Sequence, residues 1–384
     1  MPSTRSGSVT LDNWMRPPHN TAGYQHVDEL IPTRRIPRSS AGPWRLPDAD
    51  HPSLDVAEFL DATHTDAFVA LHRGRVAHEE YRQGMTPATP HLAMSVSKSI
   101  TATVVGCVVG QGLLSPDDAV IDVVPEFRGT GLEGATVRHL LDMRTGTREE
   151  ITTLDLQRDY YATVLWAPDE RQRRRDQDSR SHFWRFERVR PHGGDFEYRS
   201  TLTCVLAMLA ERVTGQPLAE LASRHLWEPL GAEHDATITV DGSGHALADI
   251  GLSCSLRDLA RVGELLRLDG RRPDGLQVVP ETWVADTLTP DADQAQVFVA
   301  GGSDFMPVEG GYYRNQWWVV SPRMHGRDGV YIALGIHGQL LYVDEAAEVV
   351  IAKFSSWPEP WVAEFANRTL GTCQNIAAGL ERSA

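Results

Sequence analysis

Leu92-Ala93-Met94-Ser95-Val96-Ser97-Lys98-Ser99 is the stretch on which the fold of this chain turns. It opens a run in which Ile100, Val104, Val105, Val108 and Val109 cover most of a helical circumference. That spacing predicts a buried helix beginning near Ser95 and ending by Gly112. On such a helix Ser95 and Lys98 lie on one face, with Cβ atoms about 5–6 Å apart, so the amine reaches the hydroxyl. A serine is a weak nucleophile until a neighbouring base takes its proton. A lysine in a water-poor site can be that base. At a helix start the serine's own N–H is also free to bind an oxyanion. Ser97 competes, but it points to another face. The motif alone leaves a second reading open, with Ser95 as a helix cap and Lys98 as an ion-pair partner.

Composition draws attention to the same place. The 37 basic residues are 35 arginines and only two lysines, Lys98 and Lys353. Arginine stays protonated under ordinary conditions, whereas a buried lysine can act as a base. A lysine that persists in such a chain marks a position where arginine will not serve, unless it survives by chance. The net charge of −15 argues against nucleic acid or an anionic membrane as the main partner. With 41% hydrophobic and 23% charged residues, the 384-residue chain is no disordered protein and has room for two or three domains. Its longest apolar run, Thr101 to Gly110, is too short to cross a bilayer. The polar start, Met1 to Asn13, reads as lacking a signal peptide, so the expected location is cytoplasmic. Cys107, Cys204, Cys254 and Cys373 form no CxxC pair and read as buried free thiols. The fifteen histidines show no metal spacing, and no phosphate loop or dinucleotide glycine pattern occurs, so neither metal nor cofactor is expected.

Residues 1–52 carry eight prolines and no sustained period, which predicts a wrapped, loop-like arm. Ala67 to His72 and Val76 to Tyr81 read as paired strands about the turn Arg73-Gly74-Arg75. Ser115-Pro116-Asp117-Asp118 reads as a helix start, Thr136 to Met143 as a short helix, and Ser253 to Leu268 as another. Leu202, Val205, Leu206, Leu209, Ala210 and Val213 keep a helical period closed by Gly215. Tyr331 to His337, Leu340 to Val343 and Val349 to Phe354 read as consecutive strands, and Trp361 to Leu380 as a final helix. Strands near both ends with helices between suggest an α/β (α+β) architecture. One antiparallel sheet would form from residues 53–94 and 300–384, with a mainly helical domain inserted at 95–299. A lid-like segment at 148–191 includes an irregular stretch, 168–191, with eight arginines. Those arginines would either hold a polar, anionic substrate or form a solvated excursion.

Two further constellations bear on chemistry. Tyr198-Arg199-Ser200 directly precedes the Leu202 helix, where Ser200 is a natural N-cap and the Tyr198 phenol can face a cleft or simply pack. Gly335-Ile336-His337-Gly338-Gln339 lies between two strands, where an edge strand beside the serine could offer a second oxyanion N–H, or the glycines could mark a bulge.

At these residues the chain resembles the serine β-lactamase and penicillin-recognising superfamily, in its class C and esterase-like branch, and most of all the 6-aminohexanoate-dimer hydrolases. The likeness runs through Leu11-Asp12-Asn13-Trp14, Pro18-His19-Asn20 and Leu92 to Ser99. It continues through Glu211 to Gly215, Asp235 to Val240, Arg257 to Gly263, Gln316-Trp317-Trp318, Gly335 to Gln339 and Ser355-Ser356-Trp357-Pro358. The resemblance implies a β-lactamase/transpeptidase-like fold, with Ser95 as nucleophile and Lys98 as its base. It further implies Tyr198 as proton shuttle and the N–H groups of Ser95 and Ile336 as oxyanion hole. Asp249 falls where relatives carry a substrate-facing polar residue and Trp318 at a pocket wall, with a loop cap and a core aromatic as the alternatives. His337 and Ser200 complete the candidate substrate-binding set. Ser200 stands where the family's tyrosine motif carries Asn, and no lysine or arginine near Ile336 would hold a β-lactam carboxylate. An ungapped count puts Thr153 near the family's lid tyrosine.

The implied activity is hydrolysis of a linear, non-β-lactam amide through an acyl-enzyme. The same machinery would serve a transacylase, with an amine or alcohol as acceptor, or a carboxylesterase. A non-catalytic ligand-binding domain, or a pyridoxal phosphate site at Lys98, are readings from other classes. A small amide or ester is the expected partner.

Overall fold

The structure, a computed structural model, describes residues 9–50, 54–148, 160–167, 173, 177–300, 311–321 and 329–382. At its centre is a seven-stranded antiparallel sheet in the order Arg75–Tyr81, Thr65–His72, Val349–Ser355, Gln339–Asp344, Val330–Gly335, Trp317–Ser321, Tyr312–Arg314. The two ends of the chain meet where Phe68 pairs with Lys353. Every residue of Thr65–His72 is buried, so both faces of this sheet are covered.

Helix Leu256–Arg267 lies on the face that carries Val350 and Leu341. A Cβ at Gly263 would stand 2.6 Å from Val350 Cγ1 and 2.8 Å from Leu341 Cδ1, so glycine lets this helix sit close to the sheet. Helix Ala363–Arg382 also packs on the Val349–Ser355 strand. Helices Val96–Gly110 and Thr201–Thr214 pack on each other and share the main hydrophobic core with the sheet. The second of these stops at Gly215 in the left-handed conformation.

Several local expectations are corrected. The arm is not all loop. It carries helix Asn20–Gln25 and strand Thr33–Ile36, which pairs with Ala236–Thr239 in a second sheet completed by Leu252–Cys254 and His91–Leu92. Burial orders it: Trp14, Tyr24, Val27 and Ile31 form a cluster with Leu92, Met94, Trp166 and Leu247. Ser115-Pro116-Asp117-Asp118 is a turn, because Asp118 accepts from Ser115 N and Ser115 Oγ accepts from Asp117 N. The Ser253–Leu268 segment divides into strand Leu252–Cys254 and helix Leu256–Arg267, capped by Ser255 accepting from Asp258 N. That helix serves the central sheet although its sequence position falls within 95–299. Strand Val330–Gly335 is interior, not an edge, and Ile336 lies just beyond its end.

Candidate active site

Ser95 is the N-cap residue of helix Val96–Gly110, and its side chain makes no cap bond. Its hydroxyl lies 2.9 Å from Lys98 Nζ instead. The turn that delivers it is strained: Met94 has φ +49°, a left-handed conformation that costs a non-glycine residue about 1–3 kcal/mol. Burial of the Met94 side chain among the arm residues holds it there. The turn is also pressed from the sheet side. A Cβ at Gly335 would stand 2.7 Å from Ala93 O, so only glycine brings the end of strand Val330–Gly335, and Ile336 after it, against the turn before Ser95.

Lys98 is 1% exposed. Its amine donates to Ser95 Oγ and, at 3.0 Å, to the backbone carbonyl of Asp249. No ion pair to Lys98 occurs among the described residues. Nζ stands 5.1 Å from the centre of the Tyr198 ring. Tyr198 precedes helix Thr201–Thr214 and is half-buried. It stacks on Trp318 with centroids 5.4 Å apart and meets Tyr313 edge-on at 5.9 Å. Phe298 and Phe196 extend this aromatic wall behind Trp318.

The structure therefore brings Ser95, Lys98, Tyr198 and Trp318 together, with Ile336 beside the turn. Three other candidates are differently engaged. The Asp249 carboxyl is buried and accepts from the Cys204 thiol at 3.3 Å. Burial pushes its pKa up, and the charge of Lys98 opposes the rise. His337 turns inward: Nδ1 bonds to Trp357 O at 2.9 Å and the ring packs on Tyr24. Burial pushes its pKa down. Ser200 is the N-cap residue of its helix but makes no side-chain cap bond.

Sequence reading gave no role to Tyr161, which is 41% exposed and whose hydroxyl pKa is pushed up by desolvation and then by the Asp249 carboxyl. It lies in a helical turn at 160–163, too short to show a period in the sequence. Thr153 and much of the Arg-rich segment, including Arg171, Arg174 and Arg175, fall outside the described residues. Of the remainder, Arg180 pairs with Glu211, Arg190 with Glu197, and Arg173 Nε donates to Ala167 O. Asp178, Asp241 and His245 are the sole group with metal-ligand proximity among the described residues. They are bonded to one another and to the backbone N–H groups of Ser179, Arg180, Ser243 and His245.

A seven-stranded antiparallel sheet, an inserted helical layer and a Ser-x-x-Lys pair at a helix start define a class, and the chain belongs to it: it is a member of the Beta-lactamase family, whose model matches residues 55–371. Among characterised relatives it is similar to 6-aminohexanoate-dimer hydrolase of Paenarthrobacter ureafaciens, at 37% identity over 99% of this chain and 96% of that protein. A candidate 6-aminohexanoate-dimer hydrolase from Bacillus anthracis superposes with a TM-score of 0.85 at 27% identity, covering 99% of both chains. A hydrolase with promiscuous acyltransferase activity shares the fold, with a TM-score of 0.60 at 15% identity over 82% of this chain and 97% of its own. No helix among the described residues is long and apolar enough to cross a membrane.

Proposed function

We propose that the chain is a serine amidohydrolase that cleaves a linear amide through an acyl-enzyme on Ser95. One observation carries this reading: a buried amine 2.9 Å from a hydroxyl at a helix start, with a phenol ring over the amine. In its neutral form Lys98 takes the Ser95 proton as Oγ attacks the amide carbon. The carbonyl oxygen gains the charge, and the N–H groups of Ser95 and Ile336 hold it. The C–N bond breaks as a proton passes through Tyr198 to the leaving amine. Water then enters, gives a proton back along the same path, and releases the acid.

The turn Ile336-His337-Gly338 supports a non-β-lactam substrate, because its one ionisable ring is buried, packed on Tyr24 and bonded to Trp357 O. The similarity to an amide hydrolase across nearly the whole chain supports amide over ester as the natural bond. Four buried, unpaired thiols suit a cytoplasmic site of action. The test is mass spectrometry of the intact protein mixed with a panel of linear amides, followed by product analysis. An acyl adduct resolving to free acid is the expected result. Resolution only onto added amines or alcohols would make the protein a transacylase. Neither adduct nor turnover on any amide or ester would leave a ligand-binding domain.

A further inference from the structure

The turn after strand Val330–Gly335 is unusual in its backbone. His337 has φ +61° and Gly338 φ +88°, so two consecutive residues are left-handed. Such a turn persists only where its surroundings fix it. Its outer side is tied by His337 N to Pro360 O at 2.8 Å and by Trp357 N to His337 O at 3.2 Å. Its inner side is tied by one side chain. Gln339 is 1% exposed, and its Nε2 faces Ser355 O at 2.8 Å, His337 O at 3.2 Å and Ile336 O at 3.4 Å. Its Oε1 accepts from Ser355 N at 3.1 Å. The side-chain amide thus pairs with the backbone of Ser355 as a strand would, through Oε1 and one N–H, and turns its second N–H to the carbonyls of His337 and Ile336. Ser355 is anchored in turn by Lys353 Nζ on its hydroxyl.

The backbone of the same residue pairs with Gly335 in the ladder. Residue 339 therefore holds both sides of Ile336: Gly335 through the main chain, and the Ile336 carbonyl through the side chain. We propose that Gln339 is a positioning residue that fixes the Ile336–Gly338 turn so that the Ile336 N–H is preorganised as an oxyanion donor. This rests on the acyl-enzyme reading, in which that N–H binds the developing charge. Only a primary amide supplies what the site uses. A carboxylate has the acceptor and no donor, and a thioether has no donor and only a weak acceptor.

The test uses Gln339→Met and Gln339→Glu in the full chain, with Val350→Ala, a buried sheet residue that packs against Gly263 of helix Leu256–Arg267, as a control for general loss of stability. A p-nitrophenyl ester reports turnover. Gln339→Met is expected to lower kcat by about 10–100-fold with KM within about twofold, near the range seen when an oxyanion donor is lost. Val350→Ala should lose comparable melting temperature and keep kcat. Gln339→Glu should recover activity relative to the parent as pH falls, because a protonated carboxyl regains one donor. That profile can be read even if Gln339→Met fails to fold. Gln339 variants with unchanged kcat, or a kcat loss matched by Val350→Ala, would overturn the inference while Ser95→Ala remained inactive. An active Ser95→Ala would instead remove the reading on which it rests.

Discussion

At Lys98 the chemistry depends on what the amine does not touch as much as on what it does. Its described partners are a hydroxyl, a backbone carbonyl and an aromatic ring, none of which carries a formal negative charge. An arginine there would keep a positive charge and could not accept the Ser95 proton. Lys98→Arg should therefore lose activity about as severely as Lys98→Ala, by three orders of magnitude or more on the ~10³–10⁶ scale typical of such losses. Retention of most activity in Lys98→Arg would reduce the lysine to an electrostatic role. Ser95→Ala should abolish turnover at nearly unchanged melting temperature, since its hydroxyl makes no cap bond. The i, i+3 spacing made this pair legible in the sequence. Asp249 was legible only as a position: that its carbonyl meets Lys98 and its carboxyl meets Cys204 depends on contacts across 151 and 45 residues.

Between elements, the site rests on close approaches that glycine permits. Gly335→Ala should push the strand end off the turn before Ser95, because its Cβ would lie 2.7 Å from a backbone oxygen. We expect a stability loss of about 1–3 kcal/mol, the usual cost of overpacking, together with a kcat loss of about tenfold or more. Gly263→Ala meets Val350 and Leu341 on the far side of the sheet instead. It should cost similar stability, read by thermal melting, and leave kcat within about twofold. Equal kcat losses in the two variants would break the assignment of Gly335 to the site. Thr201–Thr214 was legible through its helical period, and the last three strands as short, almost wholly buried apolar runs bounded by turns. The arm and the turn at Ser115 were misread for different reasons. In the first, side chains are ordered by partners distant in sequence, and in the second, local side-chain hydrogen bonds compete with a helix.

Over the whole molecule, the second lysine leaves a thermodynamic signature. Lys353 is fully buried in the central sheet, and burial pushes its pKa down from 10.5 to about 7, against the pull of Asp66. The unfolded chain holds that proton up to about 10.5 and the folded chain releases it near 7, so unfolding takes up a proton in between. The contribution of this group to stability therefore rises with pH across that window and is lost as pH falls through about 7. Lys353→Met should flatten the response, so that the melting-temperature gap between variant and parent changes between pH 7 and about pH 9.5, in favour of the parent at the higher value. A gap independent of pH would show that the amine keeps its proton in the fold.

The central claim is that Ser95, activated by Lys98, is the covalent centre of this protein. The most direct measurement is labelling of the folded protein with a fluorophosphonate, followed by peptide mass spectrometry to locate the adduct. The account predicts one adduct, on Ser95, which forms rapidly in the parent, is absent in Ser95→Ala and is strongly slowed in Lys98→Arg. An adduct on Ser97 or on any other residue, or labelling at the parental rate in Lys98→Arg, would contradict it.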